Sequence, residues 1–179
     1  MLIKILLILV AIIAIVLAIA AFQPSGFRVV RSTTINAPAA VISAEVNDFH
    51  RWAGWSPWEK LDPAMQRTFD GPAAGVGAGY AWSGNREVGS GRMTITESRT
   101  GELIRIKLEF LTPMPGICPT EFTFRSEGGA TTVTWTMSGT SNYLAKIVCV
   151  FMSMDKMVGG KFEEGLANLK TLAEAGARK

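Results

Sequence analysis

The groups that could do chemistry are few and widely spaced. His50 is the single histidine of the 179 residues, and Cys118 and Cys149 lie 31 positions apart with no CxxC pair, so the usual zinc-ligand spacings are absent. Two buried thiols are the plain reading, and a disulfide requires an oxidising compartment. His50 closes a short surface helix just before Arg51, which reads as a solvated helix-end histidine. Asp155 is the carboxylate of most interest, because it follows Phe151 by four positions and so borders an apolar helical stripe. A carboxylate at the wall of an apolar cavity is desolvated, its pKa rises, and it can anchor a polar group or move a proton. Pairing with a nearby Arg or Lys at the rim of the stripe is the alternative. Glu97 and Arg92 are weaker candidates of the same kind. There is no GxSxG, HExxH, phosphate loop or dinucleotide fingerprint. No catalytic residue, metal or cofactor is therefore assigned, and the reading leans away from an enzyme.

The element that would position these groups is a long C-terminal helix from about 142 to 175. Leu144, Ile147, Val148, Phe151, Met154, Val158, Phe162, Leu166, Leu169 and Leu172 recur at three- and four-residue steps, which places them on one face. Ser141 or Asn142 can cap its start. Gly159-Gly160 and Gly165 each cost about 1 kcal/mol against alanine in a helix interior, which a bend or a close approach of a sheet would explain.

Between Phe27 and Ser138 the chain reads as short strands and turns, so the burial partner of that helix is a sheet. The segment 102–111 alternates Ile104, Ile106, Leu108 and Phe110 against Arg105, Lys107 and Glu109. In 131–138, Val133, Trp135 and Met137 alternate with threonines, as in an antiparallel sheet wet on one side. Pro113, Pro115, Gly116 and Pro119 read as an extended loop. Pro38 opens a short helix with Val41, Ala44, Val46 and Phe49 at helical intervals. Trp52, Trp55 and Trp58 follow, and either plug the open end of the sheet or form a binding mouth or an exposed interaction surface. The fold class is α+β: a curved antiparallel sheet of about seven strands around the C-terminal helix. Space left between them is the expected site, lined by Trp55, Trp58, Tyr80, Trp82, Met93, Phe110, Trp135, Met137, Phe151, Met154 and Asp155.

The hydrophobic fraction of 48% is raised by the first 22 residues. Ile5 to Phe22 is an unbroken apolar run of 18 residues, about 27 Å long as a helix, against a hydrocarbon core of about 30 Å. Gln23-Pro24-Ser25-Gly26 then breaks it. A signal peptide with a cut after Ala18-Ile19-Ala20, leaving a secreted or periplasmic domain, is the competing reading. The run continues through Ala21 and Phe22 instead of turning polar, which favours an uncleaved single-pass anchor. Division of the chain is thus 1–22 anchor, 23–26 linker, 27–175 domain and 176–179 tail. The short N-terminal tail favours a domain outside the cytoplasm. Beyond residue 22 the chain carries 17 basic and 15 acidic side chains, a balance too mild for a nucleic-acid partner.

The order strand, two short helices, six strands, long helix resembles the helix-grip fold of the START-like, Bet v 1-like superfamily. More narrowly it is similar to the bacterial polyketide cyclase/dehydrase and lipid-transport family. Ile35-Asn36-Ala37-Pro38, Val46-Asn47-Asp48-Phe49 before Trp52, Trp55-Ser56-Pro57-Trp58, Met65 to Gly71, and Asp155 to Leu169 carry the likeness. It covers about residues 27–175 and implies a pocket for a small apolar or lipid-like ligand between sheet and helix; the anchor, outside the likeness, makes the bacterial inner membrane the expected location. Pocket residues of enzymatic members share no signature, so no catalytic role is carried over.

Overall fold

The computed structural model describes residues 1–177; the last two residues of the expected 176–179 tail lie outside it. Helix α1 (Leu2–Phe22) is apolar all round beyond Lys4 and almost wholly exposed, with Ala20 its one buried residue. Gln23 leaves the helical region at φ −64°, ψ 142°, and Pro24 cannot continue the helix. Seven strands follow: β1 (Gly26–Ile35), β2 (Gln66–Asp70), β3 (Gly79–Ser83), β4 (Ser90–Arg99), β5 (Leu103–Thr112), β6 (Gly116–Glu127) and β7 (Ala130–Thr140). They form one antiparallel sheet in the order β1-β7-β6-β5-β4-β3-β2. The period-2 patterns hold: Val133, Trp135 and Met137 of β7 and Ile104 and Ile106 of β5 are buried, while Arg105 and Lys107 face water.

Helix α2 (Ala39–Asn47) lies between β1 and two 3-10 turns, Phe49–Gly54 and Pro57–Lys60. Its buried face is Ala39, Ile42, Ser43 and Val46, rotated from the expected one, and Val41 and Ala44 face solvent. The Ser43 hydroxyl accepts the Gly101 amide at 3.0 Å, tying α2 to the β4–β5 turn. Trp52 and Trp55 are fully enclosed, their indole N–H groups donating to the Val46 and Glu45 carbonyls at 3.0 and 3.3 Å. The exposed tryptophan surface considered from the sequence is therefore absent: these rings plug the sheet.

The C-terminal segment departs from the expected single amphipath. Met152 and Ser153 are extended, and divide it into α3 (Tyr143–Phe151) and α4 (Met154–Gly176). Side chains cap both helices, Asn142 accepting from the Ala145 amide and Ser153 from that of Lys156. Only α4 lies in the grip of the sheet, burying Phe162, Leu166, Leu169 and Ala173. Helix α3 packs instead against α1, so Leu144 and Phe151 remain 67% and 76% exposed. Gly159 and Gly165 are explained by close approach: a Cβ at Gly159 would meet the Arg31 guanidinium, and one at Gly165 would lie 2.9 Å from the Trp135 ring and 3.1 Å from Pro57.

The expected loop through Pro119 is shorter than read, because β6 begins at Gly116. Residues 116–119 pair only with β5, and pairing to β7 starts at Thr120, so the missing N–H of Pro119 faces no partner strand.

A candidate ligand cavity between sheet and helix

A cavity of about 250 Å³ lies between the sheet and α4. The strands supply Tyr80, Trp82, Met93, Leu108, Phe110, Thr120, Trp135 and Met137, and α4 supplies Val158 and Phe162. Each strand contributes alternate residues, as the pleat requires. Trp52, Trp58 and Met65 complete the apolar wall. Its other half is solid: the Trp135 ring stacks on Phe162 at 4.0 Å and packs against Phe122 at 4.7 Å, with Trp52 and Trp55 edge-on behind it.

Of the residues expected at the site, Trp58, Tyr80, Trp82, Met93, Phe110, Trp135 and Met137 meet at this cavity. Four do not. Trp55 lies behind the wall, held by its bond to Glu45. Phe151 leaves with α3, and Met154, at the first turn of α4, packs on the core edge without reaching the cavity. Asp155 faces outward, where both its oxygens accept from Arg31 of β1 at 2.8 and 3.0 Å; Glu163 takes the remaining Arg31 Nε–H. The guanidinium holds the Asp155 carboxyl below the usual range, the opposite of the raised value expected for a cavity acid. Arg92 pairs with Asp70, and Glu97 with Arg105 and Arg99. His50 stacks on Phe69 at 4.1 Å and bonds Asp48.

The enclosed carboxylate of the cavity wall is Glu59, which the sequence reading missed. It sits in the second 3-10 turn, its side chain 7% exposed, and accepts from the Tyr80 hydroxyl and from Arg67 Nε, each at 2.6 Å. Burial, then the neighbouring carboxylate, pushes the Tyr80 hydroxyl well above its ordinary pKa. Arg67 is held more firmly protonated by the same carboxylate. The signal was thin: Arg67 and Tyr80 lie on neighbouring strands, with Arg67 opposite Trp82, but nothing in the spacing of Glu59 ties it to them. The Trp135 indole nitrogen, enclosed behind the wall, is the one buried side-chain polar atom among the described residues with no hydrogen-bond partner in the protein. Cys118 and Cys149 are both free thiols, and burial raises the Cys118 pKa.

The sequence model of the family described as polyketide cyclase / dehydrase and lipid transport matches residues 26–174. The chain belongs to this family. No curated protein sequence matches it. Among solved structures, the chain is similar to a protein of Nitrosospira multiformis, with 17% identity and a TM-score of 0.60 over 86% of this chain and 100% of that one. It is similar to the di-domain ARO/CYC BexL of the BE-7585A biosynthetic pathway, with 16% identity and a TM-score of 0.62, over 88% of this chain and 53% of that one. It also resembles Ara h 8.0201, at 10% identity and a TM-score of 0.57 over 84% and 99% of the two chains. At such identities these likenesses establish the fold, the Bet v 1-like helix grip, and the family membership narrows the activity to ligand binding or cyclase/dehydrase-like chemistry.

Proposed function

We propose that this protein is a membrane-tethered binder of one small apolar or lipid-like molecule. The observation that carries the reading is the cavity of about 250 Å³ walled by aromatic and aliphatic side chains. Ligand pockets are commonly about 300–1,000 Å³, so the occupant is compact, or is one segment of a longer molecule. The Tyr80–Glu59 pair is the polar group that would orient it. Trp58, Trp82, Met93, Phe110 and Met137 would supply the apolar contact, while Trp55, Phe151, Met154 and Asp155 have no place in the contact set. The tether is α1, whose 21 residues rise about 31 Å; with its end uncleaved, it suits a ligand that partitions into a bilayer. Native mass spectrometry of detergent-extracted protein, followed by melting of the delipidated chain against a lipid panel, tests this. A co-purifying small molecule and a rise in Tm are expected. Empty protein with no shift against any lipid overturns the reading, and loss of residues 1–20 from the mass replaces the anchor with a cleaved signal.

A second reading, a cyclase- or dehydrase-like enzyme, is favoured by the Glu59–Tyr80–Arg67 cluster at the cavity wall. A buried carboxylate bonded to a phenol within reach of a bound molecule has the parts for general acid–base chemistry. No turnover of the bound molecule by wild type removes this reading, and turnover that survives both Glu59→Gln and Tyr80→Phe removes the cluster from it.

A further inference from the structure

The position of α3 against α1, and of the cavity within the sheet, bear on one another. The first residue of β1, Gly26, pairs with Thr140, the last of β7. The same end of the sheet holds the start of β6, the end of β5 and the start of β4, since Gly116 pairs with Phe110 and Ser90 with Thr112. Helix α1 therefore departs from the end where the β5–β6 hairpin turns. The cavity lies in this half of the sheet: Met137, Thr120, Phe110 and Met93 are all near it, whereas the half towards Ile35 and Leu103 is filled core. Among the lining residues Thr112, Pro113 and Glu87 are exposed, which puts the mouth at the α1 end.

That end is unusually apolar outside. The hairpin exposes Leu111, Met114 and Ile117. Along α3 and its exit, Leu144, Val148, Phe151 and Met152 are exposed at helical steps of four, three and one, a stripe on one side of the helix. The depth of α3 is set by α1. The Tyr143 hydroxyl donates to the Leu17 carbonyl at 2.8 Å, and Leu17 lies five residues, about 7.5 Å, inside the end of α1 at Phe22. An amphipathic helix at a membrane surface sits about 5–10 Å into the boundary of headgroups and chains, and tyrosine favours that level. With α1 spanning a bilayer, the Tyr143 end of α3 is carried to that level.

We propose that α3 and the β5–β6 hairpin form a collar seated in the lipid surface, so that the cavity mouth opens onto the bilayer and an apolar ligand passes between membrane and cavity without crossing water. The occupant of the exposed stripe is lipid. The proposal rests on α1 being a retained anchor, and adds to it the partner of a surface that the anchor alone leaves unassigned.

The test uses the full chain in phosphatidylcholine–phosphatidylglycerol vesicles, in a Cys118→Ala, Cys149→Ala background. Single fluorophores are attached at Ile12→Cys in α1, Phe151→Cys in α3, Ile117→Cys in the hairpin and Glu127→Cys at the opposite end of the sheet. Labels at 12, 151 and 117 are expected to lose emission to a lipid-borne nitroxide and to be shielded from aqueous iodide, with the reverse at 127. If the label at 12 is quenched from lipid but either 151 or 117 is as open to iodide as 127, the collar is overturned and the anchor stands. If the label at 12 is itself open to iodide, the anchor fails and the collar falls with it.

Discussion

The Tyr80 hydroxyl donates a 2.6 Å hydrogen bond to the Glu59 carboxylate at the wall of a mostly apolar cavity. The bond holds only while the phenol keeps its proton, and burial reinforces this by opposing the phenolate. A group whose folded pKa is raised stabilises the fold below its unfolded value, near 10, and that contribution fades as pH rises through the folded value. The difference in absorbance between wild type and Tyr80→Phe should therefore show no phenolate at pH values where free tyrosine ionises. The stability advantage of wild type over Tyr80→Phe, about 1–2 kcal/mol at neutral pH and read as a higher Tm, should shrink above pH ~10. A Tyr80 titration at the ordinary value would show that the bond does not form.

Asp155 makes the contrasting case. Its paired carboxyl is held below the usual range by Arg31, so the pairing stabilises the fold above the unfolded carboxylate value and is lost as pH falls through the lower, folded one. Wild type should melt above Asp155→Asn at neutral pH, with the gap closing below pH ~3.9. Both partners are partly in water and the gap is accordingly small. A gap that widens on acidification would mean that Asp155 is buried and protonated, as the sequence alone allowed.

These two residues also mark where the sequence was readable. The strands of the grip were legible because their one-sided burial writes a period of two into residues such as Ile104, Ile106, Val133 and Trp135, and the cavity-lining aromatics came with that pattern. The helix break at Met152–Ser153 was not, because no glycine or proline marks it and the apolar stripe runs through it unbroken; the stripe has two different partners, α1 before the break and the sheet after it. Gly159-Gly160, where the sequence suggested a bend or a close approach, lies in continuous helix, and the close approach is that of the Arg31 guanidinium of β1 to Gly159. Glu59 escaped notice for a related reason: a four-residue 3-10 turn carries no periodicity from which an inward direction could be read.

Glycines of α4 should therefore respond oppositely to alanine. Nothing lies within 4 Å of a Cβ at Gly160, so Gly160→Ala gains helix propensity and should stabilise by up to about 1 kcal/mol. At Gly165 the added methyl meets the buried Trp135 ring at 2.9 Å and Pro57 at 3.1 Å. Neither neighbour can swing away, and overpacking of about 1–3 kcal/mol should outweigh the same propensity gain. Denaturant midpoints of the two variants check this, and equal shifts would mean that α4 stands further from the sheet.

Filling the cavity separates binding from folding. Leu108 is half-buried and its side chain faces the cavity from β5, opposite Met93 of β4. In a well-packed interior the larger ring of Leu108→Trp would force strain of about 1–3 kcal/mol; here the open volume receives it, so the melting temperature of delipidated protein should change little. The ring then occupies space that a ligand would use, and the rise in Tm on adding the bound molecule should be lost. Trp135→Phe keeps an aromatic ring on Phe162 and removes an indole N–H that is sealed from the cavity, so affinity should change by less than about 0.5 kcal/mol. Calorimetric titration of the two variants with the co-purified molecule reads both effects. Undiminished affinity in Leu108→Trp would place the molecule outside the cavity, whatever its affinity for Trp135→Phe.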